Sequence, residues 1–390
     1  MASHDPVTGQ ESGLTGARQS TAAPGVVVVY RCNPNSNRRG HESLTRLEIA
    51  RKLAAIKGFG YGGEFDSACQ YDAPLYFVPS ETISAFNLAH SLGIRCEHDL
   101  FGGVVPYPFV ATKTITHGLP DAGVPAPYGW STAFAQRVRD VVLPGYSVFT
   151  AQDARIACER LLKQGCVRLK KASGIGGLGQ AVITDSNELE EHLDSVTAEE
   201  LLRDGLVFER NLADVETHSV GQVRVGTLLA TYYGTQRLTH NNRGQEVYGG
   251  SNLTVVRGDF DALQRLDLAP EMRTVIAQAG TYHAAAMASF SGMFASRCNY
   301  DVAQGRDDQG QWRSGVLEQS WRAGGATGAE VAALEVFRAD PAINVVNAST
   351  TEIYGDSPVM PTDAIIYFSG VDDHVGMLTK YARLESYANA

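Results

Sequence analysis

The chain has 390 residues, of which 44% are hydrophobic and 19% are charged, and its formal net charge is −10. This composition is ordinary for a globular protein, and the length suits two or three structural units with a sizeable core. The acidic balance argues against broad binding to nucleic acid or to an anionic membrane, although a local basic cleft stays open as an alternative.

The six cysteines include no CxxC pair and do not combine with histidines at zinc-like spacing. In a chain of this length they indicate reduced and mostly buried thiols, so we expect a cytoplasmic protein. No apolar run approaches the roughly 20 residues that a transmembrane helix needs. Residues 1–24 are rich in Gly, Ser, Thr and Ala and lack the pattern of a signal peptide, so we expect a disordered tail.

The first ordered region begins with a β-branched run at residues 25–30, which predicts a strand buried on both faces. A helix is predicted over 41–57, a strand over 74–79 and a helix over 81–92. Alternating strands and helices are typical of a parallel sheet, so we expect a Rossmann-like N-terminal α/β domain over residues 25–110. It contains no GxGxxG motif, so nothing in it indicates dinucleotide binding.

A central unit is predicted over residues 111–205, and its first part is a loop that contains two prolines and a glycine at residues 123–127. Its predicted strands cover 146–149, 166–170 and 180–184, and its predicted helices cover 154–163 and 185–193. Thr150 and Asp153 form a capping box before the first helix, because a hydroxyl and a carboxylate can satisfy free helix amides.

The remaining unit is predicted over residues 206–390. We expect strands over 206–209 and through most of 219–233, a polar and glycine-rich mobile loop over 240–250, and an alanine-rich helix over 271–290. Two short strands, 299–302 and 315–318, are separated by a polar turn and are predicted to pair. A further helix is predicted over 329–337.

Four glycines lie in the segment 173–179, between the predicted strands 166–170 and 180–184. Glycines let backbone amides approach phosphate oxygens, although such a loop taken alone is more often an ordinary turn. Lys170 ends the preceding strand, where its charge could meet a phosphate. A Walker A loop is excluded because the segment does not end in Gly-Lys-Ser/Thr. A dinucleotide fingerprint is excluded because a strand, and not a helix, follows the loop. The loop is therefore interpreted as a flap over phosphates.

Asp301 and Glu318 end the two short strands that are predicted to pair. Two carboxylates that face one site are what Mg²⁺ requires while it also holds phosphate oxygens. Ser320 would point to the same face of its strand as Glu318, and Arg322 would continue that face with a guanidinium suited to phosphate or carboxylate. Either carboxylate taken alone is better explained as a strand-end charge, so the interpretation depends on the pair.

These segments, in this order, resemble the ATP-grasp superfamily, which includes biotin carboxylase, D-alanine–D-alanine ligase and glutathione synthetase. The resemblance covers roughly residues 111–337, and the chain is most similar to a bacterial branch described as a domain of unknown function. It implies an α/β fold, α+β in the ATP-grasp part. A Rossmann-like N-terminal domain would be followed by two ATP-grasp subdomains that bind the nucleotide between two antiparallel sheets.

The resemblance also implies a nucleotide site. Lys113 and Lys170 would reach the phosphates of ATP. Glu209 would begin a hinge with main-chain contacts to adenine at Arg210 and Leu212, although residues 208–212 taken alone fit an ordinary strand end equally well. The flap glycines that would cover the phosphates are Gly174, Gly176, Gly177 and Gly179.

The implied metal site consists of Asp301, Glu318 and Ser320, which would hold Mg²⁺ or, as an alternative, Mn²⁺. Arg322 and Lys170 are the implied catalytic residues. Residues 316–325 resemble the family's strand "leu-glu-x-asn-pro-arg-x-gly-gly", with Ser320 in place of the usual Asn and a Trp in place of the frequent Pro. A hydroxyl is a shorter and weaker ligand for Mg²⁺ than an amide oxygen.

The function implied by the resemblance is that of an ATP- and Mg²⁺-dependent ligase. It would activate a small-molecule carboxylate as an acylphosphate for attack by an amine or a thiol, without nucleic-acid or membrane partners, and commonly as a dimer. Two alternatives stay open. One is a degenerate ATP-grasp protein that binds nucleotide without turnover, as a sensor or assembly partner, which Ser320 favours. The other is a structural α/β protein without nucleotide.

Overall fold

The computed structural model describes residues 24–172, 179–356 and 358–388. Most of the predicted tail and three of the four flap glycines (Gly174, Gly176 and Gly177) lie outside the described residues. Within the described part of the chain, no helix has both the length and the apolar character that a membrane crossing requires.

The N-terminal region is built on a parallel sheet in which β1 lies between β2 and β3. Its elements are β1 (Val26–Tyr30), α1 (His41–Lys57), β2 (Gly60–Glu64), β3 (Leu75–Pro79), α2 (Phe86–Ser91) and the two-residue β4 (Gly103–Val104). The prediction that β1 is buried on both faces is confirmed, because Val27 and Val29 pack in one apolar cluster and Val28 packs in another.

Helix α2 begins five residues later than predicted, because the residues before it are extended. Ile83 forms a parallel bridge with Val104, and its amide donates to the carbonyl of Gly103 at 3.0 Å. This tertiary contact holds the backbone out of the helical conformation at a position where the sequence pattern is compatible with a helix.

A four-stranded antiparallel sheet, in the order β5-β8-β6-β7, forms the central region. Its elements are α3 (Thr132–Val138), β5 (Gly145–Val148), α4 (Ala151–Leu162), β6 (Val167–Lys171), β7 (Gln180–Ile183), α5 (Ser186–Asp194), α6 (Ala198–Asp204) and β8 (Leu206–Arg210). The strands on either side of the glycine-rich segment, β6 and β7, pair with each other in an antiparallel hairpin. Strand β8 lies beyond the predicted unit boundary at residue 205 but hydrogen-bonds within this sheet.

Helix α4 offers a direct test of the predicted cap. The Thr150 hydroxyl accepts a hydrogen bond from the amide of Asp153 at 3.1 Å and donates to the Asp153 carboxylate at 2.6 Å. Since an N-cap side chain satisfies a helix amide that otherwise has no partner, we expect Thr150→Ala to lower the free energy of unfolding by about 1 kcal/mol. Urea denaturation would measure the change. Thr274→Ala, at an exposed position within a helix, should lower it by much less, and equal losses would contradict the cap.

The C-terminal region contains an eight-stranded antiparallel sheet, in the order β14-β13-β9-β10-β11-β15-β17-β16. Its elements are β9 (Ala213–Val225), β10 (Leu228–His240), β11 (Glu246–Arg257), α7 (Phe260–Gln264), α8 (Pro270–Ser289), β12 (Phe294–Ala295), β13 (Arg297–Arg306), β14 (Trp312–Ser320), α9 (Thr327–Ala339), β15 (Val345–Tyr354), β16 (Ile365–Asp372) and β17 (Gly376–Ala388). Successive side chains alternate between the two faces: Val255 packs in the cluster on the α1 and α9 side, and Val256 packs in the cluster on the α8 side.

The predicted mobile loop over residues 240–250 is wrong. Strands β10 and β11 occupy most of it, and only residues 241–245 form the turn between them. The register shifts where Leu238 pairs with Tyr248 and Arg237 pairs with Gly250, so the strand carries a bulge at Gly249. Gly250 has a φ of 140°, which side-chain-bearing residues rarely adopt. Two of the three glycines that suggested a loop, Gly249 and Gly250, therefore belong to a β-bulge, and Gly244 lies in the turn.

Candidate functional site

A cavity of about 730 Å³ is lined by residues of the four-stranded sheet, the eight-stranded sheet and helix α1. Its volume is in the range of pockets that hold small ligands. Nine of the residues predicted for the nucleotide and metal sites line it: Lys113, Lys170, Glu209, Arg210, Leu212, Asp301, Glu318, Ser320 and Arg322. Gly179 is described but is not among the lining residues.

Lys170 and Glu209 form a buried ion pair at one wall of the cavity. The Lys170 Nζ lies 2.5 Å from the Glu209 Oε1, and the His117 Nε2 lies 3.2 Å from the Glu209 Oε2. The Lys170 and Glu209 side chains are 2% and 1% exposed. Burial opposes ionisation of Glu209, but the charge of Lys170 and the contact with His117 outweigh it and lower the pKa of Glu209 to about 2. The cavity therefore contains a cation whose orientation is set by a buried carboxylate.

The segment predicted as an adenine hinge follows directly from β8. The Arg210 guanidinium pairs with Asp307 at 2.9 Å, and the Arg210 amide donates to the carbonyl of Pro144 at 2.9 Å. The amide is thereby engaged, so a main-chain contact to adenine at Arg210 would have to come from its carbonyl oxygen. Beside it, Leu212 belongs to a small apolar cluster, and four members of that cluster line the cavity: Leu143, Leu212, Ala303 and Leu317. This apolar wall suits a planar base.

The predicted pairing of these two strands is confirmed, and Asp301 on β13 lies directly opposite Glu318 on β14, next to a shift in register. The Lys113 Nζ lies 2.6 Å from the Glu318 Oε2. Gln236 and Asn299 each donate to the Asp301 Oδ1 at 2.8 Å. Burial and the negative charge of Glu318 raise the pKa of Asp301 to about 6. The two carboxylates thus repel each other in the absence of a cation.

This donor set fits a divalent cation that shares its ligands with a phosphate. A cation between the carboxylates would relieve the repulsion that raises the Asp301 pKa. In the described part of the chain no group of three or more His, Cys, Asp or Glu residues could hold a metal ion. Two carboxylates, with phosphate oxygens and waters completing the shell, are the usual arrangement for Mg²⁺, which keeps several waters and rarely has an all-protein cage.

Ser320, the third predicted metal ligand, lies beside a buried cation. The Arg297 Nη1 is 3.4 Å from the Ser320 Oγ and donates to the carbonyl of Arg322 at 2.5 Å. The Arg297 guanidinium also pairs with Glu330 at 2.6 Å, and the two side chains are 2% and 0% exposed. A metal ion bound to the Ser320 hydroxyl would be repelled by this guanidinium.

Side chains at the end of β14 and directly after it alternate between the cavity and the core. Ser320 and Arg322 line the cavity, whereas Trp321 between them is fully buried on the α8 side of the sheet. The Arg322 Nε lies 3.1 Å from the Glu81 Oε2, and the Arg322 side chain is 23% exposed. Arg322 therefore reaches the cavity while its charge is partly balanced by the N-terminal region.

Several lining residues were not predicted for the site. Helix α1 contributes His41, Thr45 and Arg46, and strands β15 and β17 contribute the Glu352–Lys380 ion pair, which has a distance of 2.8 Å. For α1, the sequence feature that could have indicated a contribution to the site is the group of polar side chains that interrupts an otherwise apolar helix face. No local pattern signals the contribution of the last strands, because only the order of the eight-stranded sheet brings them to the cavity.

Comparison with known proteins identifies both a family and a fold. Residues 29–382 match the model of a family described as "Protein of unknown function (DUF3182)". No curated protein matched the chain.

Solved structures with a similar fold are enzymes. The phosphoribosylamine–glycine ligase of Thermotoga maritima has a TM-score of 0.52 at 15% identity, with 94% of this chain and 93% of that chain covered. The biotin carboxylase domain of the Hydrogenobacter thermophilus 2-oxoglutarate carboxylase, complexed with MgADP, ADP and bicarbonate, has a TM-score of 0.50 at 12% identity, with 93% and 86% covered. The carboxyaminoimidazole ribonucleotide synthase of Aspergillus clavatus, complexed with ATP, has a TM-score of 0.50 at 10% identity, with 93% and 94% covered. This likeness shows the mixed α/β fold with antiparallel sheets of ATP-grasp enzymes.

Proposed function

We propose that this chain, which belongs to the DUF3182 family and has the ATP-grasp fold, is an ATP- and Mg²⁺-dependent ligase. It would activate a small-molecule carboxylate as an acylphosphate and transfer the acyl group to an amine or a thiol. The observation that carries the proposal is that Lys113, Lys170, Asp301 and Glu318, which come from separate segments of the chain, line one cavity. The clustering of cations beside paired carboxylates is the arrangement that phosphoryl transfer requires.

In this proposal the nucleotide lies between the two antiparallel sheets. The apolar wall beside Leu212 would receive the adenine, and Lys113 and Lys170 would bind phosphate oxygens. Each lysine already contacts a carboxylate, Glu318 or Glu209, which orients its ammonium group toward the cavity. The flap glycines would add backbone amides over the phosphates. We propose that the central unit ends after β8, so that the four-stranded sheet stays within one unit.

The chemistry would depend on positioning and electrostatics, so no nucleophile from the protein is required. A carboxylate oxygen of the substrate would attack the γ-phosphorus, and ADP would leave. The amine or thiol would then attack the acyl carbon, lose its proton and displace inorganic phosphate. Asp301 and Glu318 would hold Mg²⁺, which neutralises phosphate charge when it is bound. Arg322 would stabilise the phosphoryl group during transfer.

A second candidate function is nucleotide binding without turnover. It is favoured by Ser320, whose hydroxyl replaces the expected amide and lies 3.4 Å from the guanidinium of Arg297. ADP release from ATP and Mg²⁺, assayed in the presence of candidate acids and amines, separates the two functions. Release that depends on the acid supports the ligase, and nucleotide binding without release supports the second candidate.

Binding of ATP should raise the melting temperature of the protein. A ligand present at 100 times its dissociation constant stabilises the folded state by about 2.7 kcal/mol, so we expect a clear rise with ATP and Mg²⁺. Lys113→Met should reduce this rise, because a phosphate-binding cation is lost. Lys163→Met, at the exposed C-cap position that follows α4, is the matched control and should respond like the wild type. A wild-type melting temperature that ATP and Mg²⁺ leave unchanged would contradict both candidate functions.

A further inference from the structure

Three residues of helix α1 that line the cavity each have a buried side-chain atom without a hydrogen-bond partner among the described residues. His41, Thr45 and Arg46 all line the cavity, and no described residue forms a hydrogen bond with the His41 Nδ1, the Thr45 Oγ1 or the Arg46 Nε. Residues 41 and 45 lie one helical turn apart and 46 adjoins them, so the three side chains share one end of the cavity. A buried polar atom without a partner costs about 1–3 kcal/mol, and buried polar atoms in folded proteins are rarely left unpaired.

Arg46 differs from the other buried arginines of the described chain. Arg210 pairs with Asp307 at 2.9 Å, and Arg297 pairs with Glu330 at 2.6 Å. Arg46 is 7% exposed, and among the described residues no carboxylate forms an ion pair with it. Its Nη2 donates to the carbonyl of Ser80 over a long 3.4 Å. The carboxylates of Glu42 and Glu81 act on Arg46 only through space, and burial outweighs them, so the guanidinium keeps room for a directly bound anion.

The helix N-terminus does not account for the site. The amide of His41, in the first turn, donates to the carboxylate of Asp372 at 2.7 Å, so an internal carboxylate already engages it. The groups that remain for a ligand are side chains: a guanidinium, a hydroxyl and an imidazole nitrogen. These are the donors that recognise a small organic acid.

The local charge favours a carboxylate over a phosphate. The planar guanidinium of Arg46 can hold a carboxylate through two parallel hydrogen bonds, and the Thr45 hydroxyl can donate a third. Glu42 and Glu352 also line the cavity, and although Lys380 pairs with Glu352 at 2.8 Å, Glu42 would repel a dianion more strongly than a monoanion. The Lys113 and Lys170 ammonium groups, which suit phosphates, belong to other segments of the lining.

Arg322 connects this end of the cavity to the proposed reaction centre. Burial lowers the pKa of Arg46, and the positive charge of Arg322 adds to this effect, whereas Glu42 and Glu81 oppose it. The Arg322 Nε is already engaged by Glu81 at 3.1 Å, whereas the Arg46 Nε has no hydrogen-bond partner among the described residues. An acid bound at Arg46 would lie beside the residue that we assign to the transferring phosphoryl group.

We propose that Arg46 and Thr45 bind a carboxylate of the acid substrate, so that the N-terminal helix supplies the substrate-recognition part of the cavity. This inference rests on the proposed ligase function and assigns the residues that would recognise its carboxylate substrate. Arg46 acts here as a binding residue, which fixes the acid next to the nucleotide.

The test is the melting temperature of the full chain with sodium acetate, sodium succinate or sodium L-glutamate, compared with sodium chloride at equal ionic strength. At least one of the three acids should raise the melting temperature of the wild type. In Arg46→Met the affinity for that acid should fall by about 10- to 100-fold, because a hydrogen-bonded charge pair is lost. Arg46→Lys keeps the charge without the planar fork and should bind the acid with intermediate affinity.

Arg51→Met is the matched control. Arg51 lies on the same helix, pairs with Glu48 at 3.2 Å, is 62% exposed and does not line the cavity. This variant should bind the acid like the wild type. ATP with Mg²⁺ should raise the melting temperatures of all four proteins alike, which shows that the variants are folded and that the nucleotide site is intact.

The outcomes separate this inference from the proposed function. If ATP and Mg²⁺ raise the melting temperature and none of the three acids does, the carboxylate site is wrong and the ligase proposal stands. If an acid binds through Arg46 and ATP does not bind, the carboxylate site stands and the ligase proposal is wrong. Loss of the ATP effect in both Arg46 variants, or stabilisation by sodium phosphate in place of the acids, would also overturn the carboxylate site.

Discussion

Replacing Glu318 with Gln should lower acid-dependent ADP release by at least about 100-fold. Glu318 lies opposite Asp301 at the predicted metal site, and the substitution removes one of the two negative charges that would hold Mg²⁺. A metal ion contributes several kcal/mol to transition-state stabilisation, and about 3 kcal/mol corresponds to a factor of about 100 in rate. The assay is ADP release as a function of Mg²⁺ concentration, and the variant should require more Mg²⁺ for half-maximal release.

The control for this experiment lies on the same sheet. Glu216 is on β9, which adjoins β13, and its side chain is 57% exposed and does not line the cavity. Glu216→Gln makes the same chemical change without affecting the carboxylate pair, so its turnover should equal that of the wild type. If Glu318→Gln leaves turnover unchanged, Glu318 has no catalytic role and the assignment of the metal site fails.

Replacing Lys170 with Met should lower the free energy of unfolding by about 3–5 kcal/mol. The substitution leaves the carboxylate of Glu209 buried with only His117 as a partner, and removing one member of a buried ion pair has a cost of this size. Urea denaturation would measure the loss. Lys171→Met is the matched control, because Lys171 is the next residue on β6 and is exposed, and it should change the stability by less than about 0.5 kcal/mol.

The same pair should make the stability depend on pH. The pKa of Glu209 is lowered from 4.5 to about 2, so the ionised carboxylate stabilises the folded state. This contribution is fully present above about pH 4.5 and is lost as the pH falls toward 2. Glu209→Gln should abolish this part of the acid sensitivity. A wild type and a Glu209→Gln variant with parallel stability curves between pH 5 and pH 2 would contradict the ion pair.

Local patterns in the sequence determined the elements whose burial follows from their own residues. The β-branched run of β1, the periodicity of α1 and the strand–glycine–strand pattern of β6 and β7 each predicted the element that the structure contains. The pairing of β13 with β14 was also accessible, because a short polar turn joins the two strands and local connections favour antiparallel neighbours. These predictions placed Asp301 and Glu318 on paired strands before any tertiary information was used, and the register that sets them directly opposite each other came from the structure.

Long-range packing decided what local patterns could not. Strands β15, β16 and β17 were not predicted, and residues 246–250 were assigned to a loop, because bulges and edge strands weaken the alternation on which sequence prediction depends. The partner of Lys170 was likewise inaccessible, since Glu209 joins it only through the β6–β8 pairing.

The residues that line the cavity show most clearly which features local sequence patterns determine and which features long-range packing determines. The sequence by itself determined its candidate phosphate-binding lysines and its carboxylate pair, because those residues lie in motifs with a recognisable local order. The tertiary structure alone decided that Arg46 faces the same cavity with an Nε that no described residue hydrogen-bonds, and that Arg297 lies beside Ser320. Contacts between charged side chains from distant segments depend on how sheets and helices pack. They therefore cannot be predicted from the local periodicity of the sequence.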